Sequence, residues 1–385
     1  MTGSGGDDYV EPAGERAGIL QVIETGGAGG AETVLLEVAR HLSLCGYRVV
    51  AGVGRRAWLA EKLEAAGVPV NVVRRGRRLD WRLVGQIMGI IRRERVNLVH
   101  AHLFTMNLNA CVAARLTGVP CIATCHGLDD VQGARRRLVN RVIGRLASRI
   151  VAVSDFLRGE LVNACGVAAS HVVTIHNGVA LEQFLSDNGS QRRAIREELG
   201  VADAWVVGAV GGLRAIKGHL FLVEAVARLA ESVPNACLLL VGEGPLREEL
   251  EARAADLGIA GRVRFIGFRD DVPRILGALD CFALPSLSEG LSIAAIEAMA
   301  AGLPVVVTAS GGPSDLVRHG ETGLMVPPGD ASALSAAITA IRDDPDLARR
   351  LGAAARRKAE VFDVRSMVQR YERLYREVLG DSGWS

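Results

Sequence analysis

Two glutamates eight positions apart, Glu289 and Glu297, are the residues whose chemistry stands out in this sequence. The helix predicted between and beyond them is apolar on nearly every side, which is typical of a helix inside a domain. A carboxylate there is costly unless something pairs with it. Because a carboxylate accepts two hydrogen bonds at once, it suits the vicinal diol of a ribose or a hexose.

Gly290, Leu291 and Ser292 lie where this helix would begin. Free backbone N–H groups and the helix dipole favour an anion at such a point. A diphosphate flanked by two diol-binding carboxylates matches a nucleotide-sugar, so the segment predicts a nucleotide-sugar site. A simpler interpretation stays open, in which Glu289 caps the helix and Glu297 pairs with a buried arginine.

Arg214 and Lys217 are candidate cations in a glycine-rich turn, residues 211–219, that follows a predicted strand. Breaking a sugar–phosphate bond leaves a dianionic diphosphate, which needs fixed positive charge beside it. Arginine offers a planar fork of donors and lysine a point charge. The alternative for Arg214 is an exposed side chain in a polar loop.

Gly29 and Gly30 belong to a glycine-rich turn between the first predicted strand and helix. Glycines let a backbone approach a phosphate closely, although many such turns are only tight turns. His102 and His126 fall at the carboxyl ends of predicted strands, where parallel sheets bind ligands. A lone histidine at a strand end is more often structural.

These residues resemble the motifs of retaining glycosyltransferases with the GT-B fold, family 4. Glu289 and Glu297 match the E-x7-E signature, and residues 124–127 match T-x-H-G. The resemblance runs from residue 26 to the C-terminal helix. It implies that His126 contacts the donor sugar, that Gly29 and Gly30 face the donor, and that Gly242 and Glu243 lie beside the nucleotide.

The resemblance also implies attack on the same face of the sugar from which the phosphate leaves, and a domain closure over the cleft. Three positions depart from the common pattern: Gly212 replaces an arginine, Asp315 a glutamate and Ala180 an aspartate. Arg214, two residues after Gly212, is the substitute cation that we predict. The rival functions are a sugar-nucleotide epimerase of the same fold, a phosphorylase, a dinucleotide-dependent oxidoreductase and a protein that only binds.

Strands and helices alternate along the whole chain, which is typical of α/β proteins with doubly wound parallel sheets. We expect two Rossmann-like domains facing a cleft. The predicted limits are a disordered tail at residues 1–17, an acceptor domain at 18–184, a nucleotide-sugar domain at 191–361 and a C-terminal helix at 362–385 that crosses back to the first domain.

The predicted elements have short apolar cores. Strands are expected at residues 18–25, 48–53, 68–73, 98–102, 119–125, 150–154, 206–210, 236–241, 263–266, 281–284 and 305–308. Helices are expected among others at residues 33–44, 81–93, 108–117 and 362–379.

Composition agrees with a globular protein, because 49% of the 385 residues are apolar and 23% are charged. The net charge is +2, but residues 1–180 hold 22 Lys and Arg against 15 Asp and Glu, which indicates an anionic partner. Basic residues cluster at 74–78 and 135–149, where Arg137, Arg141, Arg145 and Arg149 recur every four positions and predict one helix face.

That face is either a solvated surface or a docking site for anionic lipid headgroups. Nucleic acid is excluded as a partner, since aromatics are 4% of the chain and do not interleave with the arginines. We expect a nucleotide-sugar donor and a saccharide or lipid-linked acceptor. The pathway expected by analogy is cell-surface polysaccharide, lipopolysaccharide or glycolipid synthesis.

The seven cysteines are scattered among apolar residues without a C-x2-C pair, so we expect reduced thiols and no metal. We expect no cofactor, because the nucleotide-sugar is a substrate. Neither a signal peptide nor an apolar run of about 18–20 residues is evident. These features predict a cytoplasmic protein, with peripheral docking to the inner face of the plasma membrane if the basic face binds lipid.

Overall fold

The computed structural model describes residues 16–74, 79–184 and 189–380, and its first sheet has seven parallel strands. The strands are β1 (Arg16–Ile23), β2 (Tyr47–Val53), β3 (Val70–Val72), β4 (Leu98–His102), β5 (Cys121–Cys125), β6 (Arg149–Ala152) and β7 (Val172–Thr174). Their spatial order is β3-β2-β1-β4-β5-β6-β7. The order reverses between β1 and β4, and a doubly wound sheet binds its ligands beyond the carboxyl ends of strands at such a point.

Helices cover both faces of this sheet. They are α1 (Gly30–Leu44), α2 (Trp58–Ala65), α3 (Trp81–Arg93), α4 (Phe104–Thr117), α5 (Ala134–Leu146) and α6 (Asp155–Gly159), with a π turn at Glu160–Ala164. Helix α3 illustrates how the local sequence sets where a helix begins and which of its faces is buried. The Asp80 carboxylate accepts hydrogen bonds from the N–H groups of Arg82 and Leu83, which caps the helix, and Leu83, Ile87 and Ile90 are buried at helical spacing.

The second sheet has six parallel strands in the order β10-β9-β8-β11-β12-β13. They are β8 (Trp205–Val210), β9 (Ala236–Val241), β10 (Val263–Phe265), β11 (Cys281–Leu284), β12 (Val305–Thr308) and β13 (Leu324–Val326). Its helices are α7 (Gly189–Glu198), α8 (His219–Ser232), α9 (Arg247–Asp256), α10 (Val272–Leu276), α11 (Ile293–Ala300), α12 (Pro313–Leu316), α13 (Ala331–Asp343) and α14 (Pro345–Ala359). Here the order reverses between β8 and β11.

The last helix, α15 (Val364–Leu379), packs against the first sheet although it follows the second. Backbone hydrogen bonds join Val179 to Phe362 and Val364 just before it. Tyr371 and Tyr375 are fully buried in the cluster that surrounds β1 and α1. The end of the chain is therefore part of the core of the first sheet.

The two parallel sheets with interleaved helices confirm the predicted α/β class. Two strands were missed, β7 and β13, and each has three residues at the edge of its sheet. Elements this short carry too little periodicity to stand out. Helices α1 and α4 begin at Gly30 and Phe104, a few residues before the predicted starts, and β1 begins at Arg16, inside the predicted tail.

The prediction that Arg149 continues the basic face of α5 is wrong. Helix α5 ends at Leu146, and Arg149 opens β6, where its guanidinium lies 2.5 Å from a Glu377 carboxylate oxygen. Of the other basic cluster, residues 75–78 lie outside the described part of the chain, as do 185–188 of the predicted linker. All seven cysteines are described, and each is a free thiol. Among the described helices, none is long and apolar enough to cross a bilayer.

Candidate active site

The start of helix α11 forms a free N-terminus between the two sheets. Ser292 is its N-cap, and its hydroxyl oxygen accepts a hydrogen bond from the N–H of Ala295 at 3.2 Å. Within the described residues, the N–H groups of Gly290, Leu291 and Ser292 donate to no protein acceptor. These are the donors that an anion such as a diphosphate would satisfy.

Glu289 lies beside Lys217, so the carboxylate and the cation predicted from separate motifs meet. The Lys217 ammonium is 2.6 Å from a Glu289 carboxylate oxygen, which also accepts a hydrogen bond from the Ser286 hydroxyl at 3.1 Å. The Glu289 N–H donates to the Ser310 carbonyl at 3.0 Å. The interpretation in which Glu289 caps the helix is therefore wrong, because Ser292 takes that position.

Gly218 explains how Lys217 reaches this loop. Its φ of +66° is in the left-handed region, and an added Cβ would lie 2.1 Å from the Pro285 carbonyl oxygen. Only a glycine fits both the conformation and the close approach. The turn that carries Lys217 thus packs directly against the loop that leads into α11.

The side chain of Arg214 folds back over Gly212. A Cβ added at Gly212 would lie 3.4 Å from the Arg214 Nε, so the guanidinium occupies space beside that position. Arg214 is exposed, and within the described residues it forms no hydrogen bond or ion pair through its side chain. Its charge is therefore available to a ligand of the cleft.

Gly242 and Glu243 line the neighbouring turn. A Cβ at Gly242 would lie 2.2 Å from the carbonyl oxygen of Gly211, and the Glu243 carbonyl accepts a hydrogen bond from the Leu213 N–H at 2.9 Å. Gly242 has a φ of +133°, where glycine is favoured. The structure places these two residues against the turn that carries Arg214 and Lys217.

Glu297 is half-buried on α11, four residues after Ile293, the first residue of that helix. Burial raises the pKa of its carboxyl to about 7. Within the described part of the chain, its carboxylate forms no ion pair and accepts no hydrogen bond, so the interpretation that it pairs with a buried arginine is wrong. A buried carboxyl without a protein partner is suited to a ligand hydroxyl.

His126 and its loop approach the start of α11 from the first sheet. A Cβ added at Gly290 would lie 1.9 Å from the His126 carbonyl oxygen, so only glycine fits at this contact. The Asp130 carboxylate accepts hydrogen bonds from the N–H groups of His126 and Gly127 at 2.9 and 3.3 Å. Sequence reasoning missed Asp130, although aspartate side chains commonly accept hydrogen bonds from nearby backbone N–H groups in turns.

The glycine-rich turn of the first sheet reaches the same helix. A Cβ at Gly30 would lie 3.7 Å from the side chain of Ile293, the first residue of α11, and Gly29 is the N-cap of α1. Gly29 itself lies against Glu32 in the first turn of α1, since a Cβ added at Gly29 would be 2.6 Å from the Glu32 carboxylate. Gly30 thus lies at the start of α11, while Gly29 lies one residue farther back.

Two further contacts join the domains beside the site, and the sequence did not indicate them. The Asn177 side-chain amide donates to the Leu291 carbonyl at 2.9 Å. The Asp315 carboxylate accepts a hydrogen bond from the Asp155 N–H at 2.5 Å and lies 3.4 Å from the His176 Nε2. Both contacts hold the loops around α11 against the first sheet.

Comparison with known proteins agrees with this geometry. The family model for glycosyl transferases group 1 matches residues 191–358, and that for Glycosyltransferase Family 4 matches residues 28–183. A D-inositol 3-phosphate glycosyltransferase of Streptomyces coelicolor is 31% identical over 389 residues, covering 88% of this chain and 84% of that protein.

Two other proteins extend the comparison. An Escherichia coli enzyme, UDP-Gal:alpha-D-GlcNAc-diphosphoundecaprenol alpha-1,3-galactosyltransferase, is 28% identical and covers 69% of this chain and 71% of its own. The crystal structure of Anabaena HepE in complex with UDP-glucose superposes with a TM-score of 0.84, at 26% identity, over 94% of this chain and 99% of that one.

The chain therefore belongs to the family 4 glycosyltransferases with the GT-B fold, as its motifs indicated. It is a glycosyltransferase that acts on nucleotide sugars, and neither an epimerase nor an oxidoreductase is favoured.

Proposed function

We propose that this protein transfers a sugar from a UDP-sugar to an acceptor hydroxyl with retention of the anomeric configuration. The observation that carries the proposal is the 2.6 Å contact between Lys217 and Glu289 beside the free N-terminus of α11. Anion-binding donors, a fixed cation and a sugar-directed carboxylate thus meet at one point. The UDP and UDP-glucose in the structures of Anabaena HepE support uridine as the base.

The donor lies along the second domain. Its diphosphate accepts hydrogen bonds from the N–H groups of residues 290–292, and Lys217 and Arg214 balance the charge that develops as the bond to the sugar breaks. Glu297 accepts hydrogen bonds from the ribose diol. The turn with Gly242 and Glu243 lies beside the nucleotide, and His126 and Glu289 contact the sugar.

In the reaction, the bond between the anomeric carbon and the phosphate oxygen breaks while the acceptor hydroxyl attacks the same face. The acceptor proton passes to the leaving phosphate oxygen, so no protein base is needed. Glu289 supports this mechanism because Lys217 and Ser286 already engage its carboxylate, which suits orientation of the sugar better than nucleophilic attack. With two fixed cations at the phosphates, we expect transfer without a divalent ion.

The acceptor reaches the cleft from the first domain. The E. coli relative is named for transfer to a diphosphoundecaprenol-linked sugar, which supports a lipid-linked or saccharide acceptor here. On α5, Arg135, Arg137 and Arg145 are exposed together with Leu138, whose side chain is 60% exposed. A basic face with an exposed leucine supports peripheral docking to an anionic membrane surface.

The test is a donor and acceptor panel. UDP release is measured with UDP-glucose, UDP-galactose and UDP-N-acetylglucosamine, each with lipid-linked and free saccharide acceptors, in buffer with EDTA. We expect acceptor-dependent UDP release and a product whose anomeric proton coupling in NMR shows the donor's configuration. An inverted product would exclude retention, and donor binding without transfer to any acceptor would favour a protein that only binds.

A further inference from the structure

A chain of buried polar side chains runs from His126 into the core of the first domain, and the transfer reaction as proposed does not use it. The His126 Nε2 lies 2.9 Å from the His102 Nδ1, and the His102 Nε2 lies 3.0 Å from the Gln21 Oε1. The Gln21 Nε2 donates to the Tyr375 hydroxyl at 2.9 Å. These residues come from β5, β4, β1 and the C-terminal helix α15.

The direction of each hydrogen bond follows from Gln21. Its amide nitrogen donates to Tyr375, so its carbonyl oxygen faces His102 and can only accept. The proton in that bond therefore belongs to the His102 Nε2. Burial lowers the pKa of His102 well below its usual value, so the ring is neutral and its Nδ1 has a lone pair.

The same reasoning identifies the donor in the hydrogen bond between His102 and His126. Since the His102 Nδ1 can only accept, the proton between the two rings belongs to the His126 Nε2. Burial lowers the pKa of His126 to about 3, so this ring also has one proton. Its other nitrogen, Nδ1, then has a lone pair, and within the described residues the only hydrogen-bond partner of the ring is His102, at Nε2.

The hydrogen bonds at the other end of this series, around Tyr375, are consistent with the same donor-to-acceptor order. The Tyr375 hydroxyl accepts from Gln21 and is free to donate to the His100 Nδ1. The His100 Nε2 then donates to the Thr124 hydroxyl, 2.7 Å away. Gln21, His100, His102 and Tyr375 are all fully buried, so a reversal of one bond would require a reversal of all.

We propose that Gln21 and His102 are positioning residues that hold His126 as the Nε2–H tautomer, so that its Nδ1 accepts a hydrogen bond from a hydroxyl of the transferred sugar. This inference rests on the proposed contact between His126 and the donor sugar. In that contact the sugar hydroxyl is the donor and the His126 Nδ1 is the acceptor. The site therefore selects sugars that have a hydroxyl group facing His126. Tyr375 links this selection to the C-terminal helix through Gln21.

The direct test is nitrogen NMR of the full chain labelled with ¹⁵N-histidine, with the His126 signals assigned by their loss in His126→Asn. We expect a protonated Nε2 and a bare Nδ1 at neutral pH in the free protein. A protonated Nδ1 would overturn the inference. UDP-glucose should then shift the Nδ1 signal, whereas UDP alone should not.

Two variants of His102 separate positioning from packing. The side-chain amide of His102→Asn reaches the place of the ring's Nδ1 and can still accept from His126, whereas that of His102→Gln reaches the place of Nε2. We expect His102→Gln to lower kcat/KM about 10²-fold through misplacement of His126, and His102→Asn to stay within about 10-fold of wild type. Equal losses in both variants, at equal thermal stability, would contradict a positioning role.

The NMR result and the activity of His126→Ala together distinguish a failure of this inference from a failure of the proposed function. If the tautomer is as expected but His126→Ala transfers sugar normally, the proposed role of His126 in transfer is wrong. If His126→Ala is inactive but the free protein shows a protonated Nδ1, the function stands and the direction of the chain is wrong. Gln21→Met, which removes the acceptor for His102, should also broaden or shift the His126 signals in the free protein.

Discussion

The two walls of the cleft differ in charge: one carries charged side chains and the other carries neutral ones. The wall from the second domain presents charge, with Lys217 against Glu289 and Arg214 exposed beside them. The wall from the first domain presents neutral groups, since burial lowers the pKa of His126 to about 3. In the proposed reaction, the fixed charge faces the dianionic diphosphate that forms, and the neutral hydrogen-bonding groups face the uncharged sugar. The difference separates bond breaking from sugar recognition.

The largest expected effect on activity comes from removal of Lys217. This lysine belongs to the charged wall, the side of the cleft formed by Lys217, Arg214 and Glu289. Lys217→Ala removes the cation that we propose to lie beside the leaving diphosphate, and it leaves the Glu289 carboxylate without its ion-pair partner. We expect kcat to fall about 10³-fold, as for loss of one preorganised transition-state contact. Steady-state kinetics measures this. Lys358→Ala, a lysine over the Phe362 ring on another helix, is the control and should change kcat little.

Arg214 tests whether the charged wall needs a second cation. Arg214→Ala should lower kcat about 10²–10³-fold, and Arg214→Lys should restore only part, since lysine lacks the fork. The side chain is exposed, so the free energy of unfolding should change by no more than about 0.5 kcal/mol. Near-normal kcat/KM in Arg214→Ala would mean that the second cation comes from elsewhere.

Gly290 is where the two walls touch. In Gly290→Ala the new Cβ would lie 1.9 Å from the His126 carbonyl oxygen, so the walls must separate. We expect kcat/KM to fall about 10²-fold from misplaced reacting groups, with the circular dichroism spectrum unchanged. Gly89→Ala on α3, where no atom lies within 4 Å of the added carbon, is the matched control. Equal activity of the two variants would show that the contact is dispensable.

Glu297 differs from the other charged groups on this side of the cleft, because burial keeps its carboxyl partly neutral near pH 7. Its pKa is raised to about 7, so donor binding through the ionised carboxylate should weaken as pH falls through 7. Glu297→Gln should raise the donor KM about 10-fold and abolish this pH dependence. Glu289→Gln should instead lower kcat more than it changes KM. Indistinguishable kinetics in the two variants would contradict this division.

The raised pKa also has a consequence for stability. The folded protein binds the Glu297 proton more tightly than the unfolded chain, whose carboxyl has the ordinary pKa of 4.5, so the free energy of unfolding falls as pH rises from 4.5 to about 7. Glu297→Gln should therefore be more stable than wild type above pH 7, by up to about 3 kcal/mol, and lose that advantage in acid. Urea unfolding at both pH values measures it.

The smallest effect concerns the outer surface behind the neutral wall. If α5 docks on anionic lipid, binding to vesicles with phosphatidylserine should fall steeply with salt. Replacement of Arg137 and Arg145 by serine should weaken binding about 5-fold per residue. Arg349→Ser, an exposed arginine on α14, is the control. Equal binding to neutral and anionic vesicles would remove the docking proposal.

The charged wall was the easier one to predict from the sequence. Glu289, Glu297 and the residues between them belong to one strand, loop and helix, so their spacing directly sets their relative positions. Lys217 comes from a second such unit at the neighbouring strand β8. Because parallel strands end at one edge of a sheet, two local predictions were enough to bring these groups together.

The neutral wall shows where sequence reasoning stopped. Gln21 was an unexplained polar residue in an apolar strand, and Tyr375 one of several aromatics on an amphipathic helix. They are 354 positions apart, and nothing local relates them. The four-residue spacing of the arginines also gave one wrong prediction. Arg149 continues the spacing of α5, but the helix ends at Leu146 and Arg149 pairs with β5 as part of a strand.

Sequence patterns alone were enough to predict the α/β class, most strand positions and the glycine-rich turns at the strand ends, because each depends on periodicity or spacing within one supersecondary unit. The packing of distant segments was needed to show that Glu297 has no partner among the described residues, that Arg214 folds over Gly212, and that α15 supplies Tyr375 to the core beneath His126. Burial and hydrogen-bond direction depend on which distant segments pack together, and no local pattern carries that information.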